Sequence, residues 1–342
     1  MDSITIKDVA RICGVGVSTV SRAINNHPDI NEETKNMVLQ VIKENNYIPN
    51  NSARNLKRSV SRVIVLVVKG IDNPFFSNMI RIFEEEIQKK RYSIFLCRVE
   101  EGEDEVDVAI EVMKERKPKG VIFLGGCFSH GREKLEQLDI PFVLSTIAIT
   151  DEVEKGDFSS VSVDDVQESY KIVSYLCEQG HEKIGILAAT PMDESIGKLR
   201  LEGYKKALGD HGIKFNPAWC FFSDEDIECY TMNNGYRQMK RVLKSEQDIT
   251  ALFAVSDSIA IGACKAVFDA GKSVPDDYSI AGFDGMEMAR YYNPAITTIR
   301  QPVEEMAYAT IKILFDIIRD KAQNQQKVFK GQLIEGQSTK AR

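Results

Sequence analysis

The alternation of short apolar runs with amphipathic segments after Arg62 constrains this 342-residue chain more than any other feature. One series of runs reads "RVIVLVV", "YSIFLC", "KGVIFLG" and "IPFVLST", and a later series reads "KIGILAA", "ALFAVSD" and "YSIAGFD". The segments between the runs, such as "FFSNMIRIFEEEIQKKR", carry apolar residues at helical spacing. Strands that alternate with helices predict parallel sheets covered on both faces. Two successive series therefore predict two doubly wound α/β lobes.

The chain is expected to cross between these lobes more than once. After Asp284 the run "NPAITTIRQP" and a helix near 302–320 are predicted to return to the first lobe. The first lobe is then expected at about 62–162 plus 293–322, and the second lobe at about 163–292 plus 323–342.

The N-terminal segment has a different pattern, typical of a small all-α domain. In "TIKDVARICGVGVSTVSRAIN" two apolar helical patterns flank Gly14 and Gly16. Because a helix and not a buried strand precedes the glycines, they do not fit a dinucleotide-binding turn. Gly14 fits the left-handed residue that ends one helix, and Gly16 fits the cap of the next. Two short helices joined in this way predict a helix-turn-helix, and Asn31 begins a third helix.

Charge separates this head from the rest of the chain. Residues 1–62 hold nine Lys/Arg and six Asp/Glu, a net charge of +3, whereas the whole chain carries -7. A basic head on an acidic remainder predicts that only the head meets a polyanion. In a helix-turn-helix the second helix enters the major groove, and arginine is well shaped to read guanine. Val17, Ser18 and Arg22 lie on the outward side of that helix; a protein-interaction module with a solvated polar face is the alternative.

The segment "YIPNNSARNLKR" after the third helix strengthens the DNA hypothesis. Pro49 ends the preceding helix, and about one and a half basic helical turns could follow it, which is marginal for an isolated helix. Leu56 is an isolated apolar residue among basic ones, and it suits a wedge that enters a minor-groove base step. A plain flexible linker is the alternative.

The motifs "TIKDVARICGVGVSTVSRAIN", "NEETKNMVLQVIKENNYIPNNSARNLKR" and "DNPFF" resemble the lactose-repressor (LacI/GalR) family of bacterial transcriptional regulators. The resemblance implies a helix-turn-helix head at 1–49, a hinge helix at 50–61, and an effector-binding and dimerisation body at 62–342 that is like a periplasmic binding protein. It also implies a homodimer on a pseudo-palindromic operator. The family usually has Ser where this chain has Gly16. The residues expected to contact DNA are Thr5, Val17, Ser18, Thr19, Ser21, Arg22, Asn25, Thr34, Ala53, Leu56 and Lys57.

Polar and aromatic residues follow the predicted strands, where ligands bind in open α/β sheets. The residues expected at this effector site are Asp72, Asn73, Phe75, Phe76, Thr146, Arg200, Tyr230, Asp257, Asp284 and Gln301. The family resemblance supports Phe75, Arg200 and Asp284, while Thr146 stands where many sugar-binding members have Asp. Simpler roles are open for others: Asn73 and Asp257 fit helix caps, Phe76 fits the core, and Asp284 with Gly285 fits a turn. A sugar is the leading effector class, with a nucleobase or phosphorylated metabolite as alternatives.

The predicted function is a sequence-specific transcriptional regulator, a repressor of sugar or related metabolic genes under allosteric control by a small molecule. No phosphate-loop, nucleophile-elbow or zinc-protease motif is present, so we expect no enzyme activity and no cofactor or metal. The seven scattered cysteines and the absence of an apolar leader or membrane span favour a bacterial cytoplasmic protein, associated with the nucleoid when bound to its operator. No leucine heptads follow the body, which favours a dimer. A cytoplasmic sugar-binding protein or sugar-processing enzyme without DNA function, or a secreted binding protein, is the alternative.

Overall fold

The computed structural model divides the chain into two units, Met1–Ser61 and Arg62–Arg342, called the head and the body below. The described residues are 4–24, 26–45, 47, 61–100, 102–128, 132–149, 156–191, 194–224, 228–245, 247–320 and 322–342. Four residues expected to contact DNA lie outside these ranges, namely Asn25, Ala53, Leu56 and Lys57, as does nearly all of the expected hinge.

The described part of the head contains helices α1 (Ile6–Ile12), α2 (Val17–Ile24) and α3 (Glu32–Glu44). Gly14 turns the chain out of α1 two residues after its last residue, with a φ of 62° in the left-handed region. The Gly14 N–H donates to the Arg11 carbonyl at 3.2 Å, and the Val15 N–H donates to the Ala10 carbonyl at 3.0 Å. This pair of bonds is the Schellman arrangement that turns a chain out of a helix.

One fully buried valine from each helix meets in the core of the head: Val9, Val20 and Val38, each at 0% exposure. Ala10, Cys13 and Ala23 complete the buried set. So few apolar residues can cover only one face of α2, and its other face remains in solvent.

The first lobe of the body is built on a six-stranded sheet with the order β13-β7-β5-β3-β1-β2, in which every pairing is parallel. Its strands are β1 (Val63–Lys69), β2 (Ser93–Val99), β3 (Gly120–Leu124), β5 (Phe142–Ser145), β7 (Ser159–Val163) and β13 (Gln326–Phe329). Strands β4 (Cys127–Phe128) and β6 (Ala148–Ile149) form a small separate pair. Its described helices are α4 (Phe75–Lys89), α5 (Glu105–Arg116), α6 (Arg132–Leu135) and α12 (Val303–Asp320).

The second lobe repeats this plan with the order β14-β12-β11-β10-β8-β9, and only the pair β12–β14 is antiparallel. Its strands are β8 (Ile184–Leu187), β9 (Cys220–Phe221), β10 (Ala251–Ala254), β11 (Ser279–Asp284), β12 (Thr297–Arg300) and β14 (Gln332–Ile334). Its described helices are α7 (Asp165–Glu178), α8 (Ile196–Asp210), α9 (Met232–Lys244), α10 (Asp257–Asp269) and α11 (Glu287–Tyr291), with a 3-10 turn at Pro217–Trp219.

The sheets are apolar on both faces, which explains the continuous runs in the sequence. In β1, Leu66 and Val68 face one hydrophobic cluster, and Val65 and Val67 face another on the opposite side of the sheet. Side chains alternate between faces along a strand, so burying both faces requires an unbroken run of apolar residues.

The late part of the chain differs from its expected assignment. Residues 293–300 do not return to the first lobe: β12 pairs in parallel with β11 of the second lobe, because only a short connection through α11 separates the two strands. The crossing falls instead at Gln301–Pro302, after which α12 packs on the first sheet as expected. Strand β13 then adds to the first sheet beside β7, although residues 323–342 were assigned to the second lobe. The first sheet thus takes its last strand from a polar segment without an apolar run.

The two glycines of the helix-turn-helix should respond in opposite ways to serine. Gly14→Ser forces a side chain into the left-handed region and should destabilise the head by about 1 kcal/mol. At Gly16 a Cβ would lie 3.5 Å from the Ser18 Oγ, an ordinary contact, so Gly16→Ser should stabilise α2 by a few tenths of a kcal/mol. Hydrogen exchange of the α2 amides in the full chain measures both changes. Slower exchange in Gly14→Ser would contradict this assignment of the turn.

Candidate functional site

A cavity of about 360 Å³ opens in the body where the strand order of each sheet reverses. In the first sheet β1 lies between β2 and β3, so connections leave its carboxyl end in opposite directions. The cavity wall on this side comes from residues at or after the ends of these three strands: Lys69, Gly70, Ile71, Asp72, Asn73, Phe76, Arg98, Val99, Glu100, Gly125, Gly126 and Cys127. Such a reversal point is where open α/β sheets bind ligands.

The second lobe contributes the opposite wall from the equivalent place. There β8 lies between β9 and β10. The lining residues follow β8 and β9: Ala189, Thr190, Glu194, Ser195, Ile196, Glu228, Cys229, Tyr230 and Thr231. Each lobe thus supplies one half of a single pocket, whose lining combines apolar and aromatic side chains with charged and polar groups from both lobes.

Four residues expected at the effector site line this cavity: Asp72, Asn73, Phe76 and Tyr230. The Asn73 side chain also accepts a hydrogen bond from the Phe75 N–H at 3.1 Å, so it orders the start of α4 as well. The Tyr230 hydroxyl lies 3.3 Å from the Ser195 hydroxyl.

The Phe76 ring lies against the end of β3 because Gly125 permits the approach. Gly125 has a φ of 73°, and a Cβ there would come within 2.6 Å of the Lys69 carbonyl oxygen and 2.8 Å of the Phe76 ring. Glycine therefore lets the β1 and β3 ends and the aromatic ring share one wall of the cavity.

The other six expected residues do not line the cavity. Phe75 is buried next to Phe76, with ring centroids 5.7 Å apart, so of the two aromatic rings only Phe76 faces the pocket. The remaining five are buried polar side chains: Thr146, Arg200, Asp257, Asp284 and Gln301.

Arg200 is the centre of a buried polar network behind the second wall. Its Nε donates to an Asp165 carboxylate oxygen at 2.8 Å, and its Nη1 donates to the Val255 carbonyl at 2.6 Å and to Asp284 at 3.4 Å. The guanidinium also stacks on the Phe283 ring at 3.8 Å. Since Arg200 follows Ile196 by four residues in α8, it lies on the same helix face, one turn away from the cavity wall.

Asp284 is unusual in both the pKa of its side chain and its backbone conformation. Burial raises its pKa to about 6, although Arg200 and a hydrogen bond from Gln301 at 2.9 Å both favour the ionised form. Burial likewise raises the pKa of Asp165, and Arg200 opposes the rise. The φ of Asp284 is 116°, and its Oδ2 is buried without a hydrogen-bond partner among the described residues.

Asp257 holds three elements together. Its carboxylate accepts hydrogen bonds from the Thr298 hydroxyl at 2.6 Å and the Met286 N–H at 2.7 Å, which joins α10 to β12 and to the turn after β11. Ser256, and not Asp257, caps α10. Burial and the nearby charge of Asp284 raise the Asp257 pKa well above its ordinary value.

The head presents a polar face on α2. Val17, Ser18 and Arg22 are exposed, and Thr19 and Ser21 are half-buried. Thr34 is half-buried in the first turn of α3. Thr5 caps α1 in a reciprocal arrangement with Asp8: the Thr5 N–H and hydroxyl donate to the Asp8 carboxylate at 3.0 and 2.6 Å. All seven described DNA candidates therefore lie in α2, in the first turn of α3 or, for Thr5, at the start of α1.

The comparisons with known proteins identify both units. Residues 5–50 match the family described as bacterial regulatory proteins of the lacI family, and residues 173–339 match a periplasmic binding protein-like domain. The HTH-type transcriptional regulator MalR of Clostridium butyricum is 41% identical over 335 residues, covering 97% of this chain and 98% of that protein. The chain belongs to the lacI family. It is a transcriptional regulator, as are these relatives, and not an enzyme.

Other lacI-family members agree with this assignment. The HTH-type transcriptional repressor PurR of Pasteurella multocida is 32% identical over 323 residues, 93% of each chain. A lac repressor dimer bound to operator and the anti-inducer ONPF has a TM-score of 0.78 at 23% identity over 99% of this chain and 100% of that one, which confirms the predicted fold. A family regulator of Enterococcus faecium with bound ribose has a TM-score of 0.69 at 26% identity over 82% of this chain and 99% of that one.

Sequence reasoning missed several residues of this lacI-family cavity, above all Arg98 and Glu228. Arg98 is the last residue but one of β2, and its guanidinium lies near Asp72 and Glu100 of its own lobe and Glu228 of the other. Lys69 ends β1 and donates to the Glu103 carbonyl at 2.8 Å. Both positions follow the rule used for the other strands, and "FLCRVE" could have been included on that ground.

The raised pKa of Asp284 predicts a specific pH dependence of stability. A carboxyl with a higher pKa when folded binds more protons in the folded chain, so its contribution falls as pH rises from about 4 to about 6. Asp284→Asn removes this loss, so stability relative to wild type should shift in favour of the variant by up to about 3 kcal/mol over that range. Urea unfolding followed by the fluorescence of Trp219, the single tryptophan, measures the shift in the second lobe.

Asp248→Asn is the matched control. A hydrogen bond from Lys183 lowers the Asp248 pKa, so this carboxylate stabilises the fold above its ordinary pKa and loses that effect on acidification. The control should show no gain relative to wild type as pH rises. An equal shift in both variants would contradict the buried, raised carboxyl at position 284.

Proposed function

We propose that this regulator binds operator DNA through its head as a homodimer, and that a small hydroxylated effector bound in the cavity alters this binding. The observation that carries the proposal is the cavity itself, formed by both lobes at the reversal points of both sheets. A ligand that contacts both walls binds most tightly at one lobe spacing, and a ligand shifts an equilibrium by its difference in affinity for the two states. The protein acts in the bacterial cytoplasm, as a repressor of genes for sugar or related metabolism.

The lining chemistry favours a sugar or sugar derivative as the effector. Phe76 and Tyr230 offer aromatic faces, and Asp72 and Asn73 offer acceptors and a donor for hydroxyl groups. Among the structural relatives, a regulator of Enterococcus faecium holds ribose, and the regulator CelR holds cellobiose at a TM-score of 0.70 and 24% identity over 98% of this chain and 99% of that one. These two ligands support the class and not a particular sugar.

The buried candidates belong to the same site as supporting residues. Arg200, Asp284 and Gln301 form one network a helical turn behind Ile196, and the network fixes the start of α8 that lines the cavity. Phe75, Thr146 and Asp257 hold the ends of the neighbouring elements. Removing Arg200 alone would leave two buried carboxylates without their cation, which costs about 3–5 kcal/mol. An Arg200 variant must therefore be shown to fold before any change in its effector binding is interpreted.

The DNA-reading surface is the exposed face of α2 with its flanking residues. Val17, Ser18 and Arg22 are proposed to meet base edges, with Thr19, Ser21 and Asn25 beside them. Thr5 and Thr34 at helix starts suit phosphate contacts. Ala53, Leu56 and Lys57 complete the proposed set from residues 50–61, between the head at 1–49 and the body at 62–342.

Arg22 should distinguish a selected operator from other DNA. Arg22→Ala should weaken binding to a duplex selected by the wild-type chain from a random pool by about 1–3 kcal/mol, because a bidentate contact to guanine is lost. Band shifts of the full chain at fixed salt, on the selected duplex and on a scrambled duplex, measure the difference.

Arg11→Ala controls for the loss of one positive charge. Arg11 is exposed and paired with Asp8 at 2.8 Å within α1. It should weaken both duplexes slightly and equally. If Arg22→Ala also weakened binding to both duplexes equally, Arg22 would contact phosphate, and the proposed base readout by Arg22 would be rejected.

Two lining cysteines report on effector binding directly. Cys127 and Cys229 line the cavity from opposite lobes, whereas Cys97 is half-buried in β2 and does not line it. Saturating effector, screened from neutral sugars such as ribose and cellobiose, should slow N-ethylmaleimide alkylation of Cys127 and Cys229 and leave Cys97 unchanged. Site-resolved mass spectrometry measures the rates. A sugar that releases or strengthens operator binding without protecting either cysteine would place the effector elsewhere.

A further inference from the structure

We propose that Arg98 positions the two lobes, by joining Glu228 across the mouth of the cavity and so slowing its opening. The rim cluster consists of Asp72, Arg98, Glu100 and Glu228. The Arg98 guanidinium lies 3.3 Å from an Asp72 carboxylate oxygen, 3.2 Å from Glu100 and 3.6 Å from Glu228. All four residues line the cavity.

The rim cluster is divided unequally between the lobes. Arg98 lies near the end of β2, Glu100 follows that strand, and Asp72 lies in the turn between β1 and α4, all in the first lobe. Glu228 comes from the second lobe, just before α9. Its carbonyl accepts the Thr231 hydroxyl at 3.0 Å, and the next carbonyl, that of Cys229, accepts the Asn234 amide at 2.6 Å. Glu228 therefore moves with the start of α9.

The charges make the cross-lobe pair adjustable without harming the fold. Arg98 has two carboxylates within its own lobe, so separation from Glu228 does not leave the guanidinium without an anion. Arg98 and Glu228 are each 46% exposed, which places their attraction in the weak, salt-sensitive range of surface ion pairs. A pair of this strength changes the opening of the cleft severalfold and leaves each lobe folded.

The test neutralises, one at a time, two carboxylates that pair with the Arg98 guanidinium. Glu228→Gln removes the cross-lobe pair, and Glu100→Gln removes a pair within the first lobe. Without any effector, Glu228→Gln in the full chain should speed N-ethylmaleimide alkylation of Cys127 and Cys229 roughly two- to fivefold, and Glu100→Gln should not. Alkylation of Cys97 is the internal control in each variant. Equal rates for the two variants at the lining cysteines would overturn the proposal.

A double substitution tests whether Glu228 affects cavity opening through its pair with Arg98 or independently of it. In an Arg98→Gln background, Glu228→Gln should accelerate alkylation less than it does in wild type, because its partner across the cleft is gone. Raising the salt concentration from about 0.05 to about 0.5 M should speed alkylation in wild type and have little effect on Glu228→Gln. Full additivity of Arg98→Gln and Glu228→Gln, or an equal salt response in both proteins, would contradict a cross-lobe pair.

The experiment with a bound sugar rests on the proposed function, whereas the alkylation experiment without effector does not. With ribose or cellobiose, whichever the wild type binds, Glu228→Gln should raise the dissociation rate constant two- to fivefold with little change in the association rate constant. Failure of the wild type to bind any neutral sugar would count against the proposed effector class alone. A faster association rate constant with unchanged dissociation in Glu228→Gln would overturn the latching role.

Discussion

The buried interactions of the Arg200 guanidinium are the ones on which the second lobe depends. It joins the start of α7 through Asp165, the end of β10 through the Val255 carbonyl and the end of β11 through Asp284. Two buried carboxylates would repel each other in a medium of low dielectric, and one planar cation with several donors offsets that repulsion. Because Arg200 itself belongs to α8, this compensation also fixes the helix whose first turn forms a wall of the cavity.

Much of the fold could be predicted from the sequence, for reasons that are visible in particular elements. The runs around β1 and β10 are apolar because both faces of their sheets are buried, and the left-handed position at Gly14 follows from its place between two helical patterns. The edge strands β13 and β14 carry no such signal: "QKVF" is mostly exposed, and its neighbour is chosen by where α12 places the chain. The predicted return to the first lobe at residue 293 was wrong for the same reason. The crossing follows β12, and its place depends on the pairing of β12 with β11 and not on local composition.

The site was less predictable than the fold. The strand-end rule found Asp72, Asn73 and Phe76, but it could not tell a lining side chain from one buried behind the lining. Arg200 is paired with residues 35 and 84 positions away, so its burial is decided by contacts that no local pattern reports. Arg98 was missed because its significance depends on Glu228, which the fold brings from the other lobe.

The Arg200 network and the rim cluster therefore differ in the free energy needed to break them. A buried cluster such as that around Arg200 costs several kcal/mol to break, so it fixes the geometry of one wall. The rim cluster is half-exposed, and its cross-lobe pair is worth about a kcal/mol or less, at or below the low end of the coupling energies of typical allosteric proteins. A regulator needs both: a wall rigid enough to discriminate between ligands, and a contact between the lobes weak enough for a bound metabolite to outweigh.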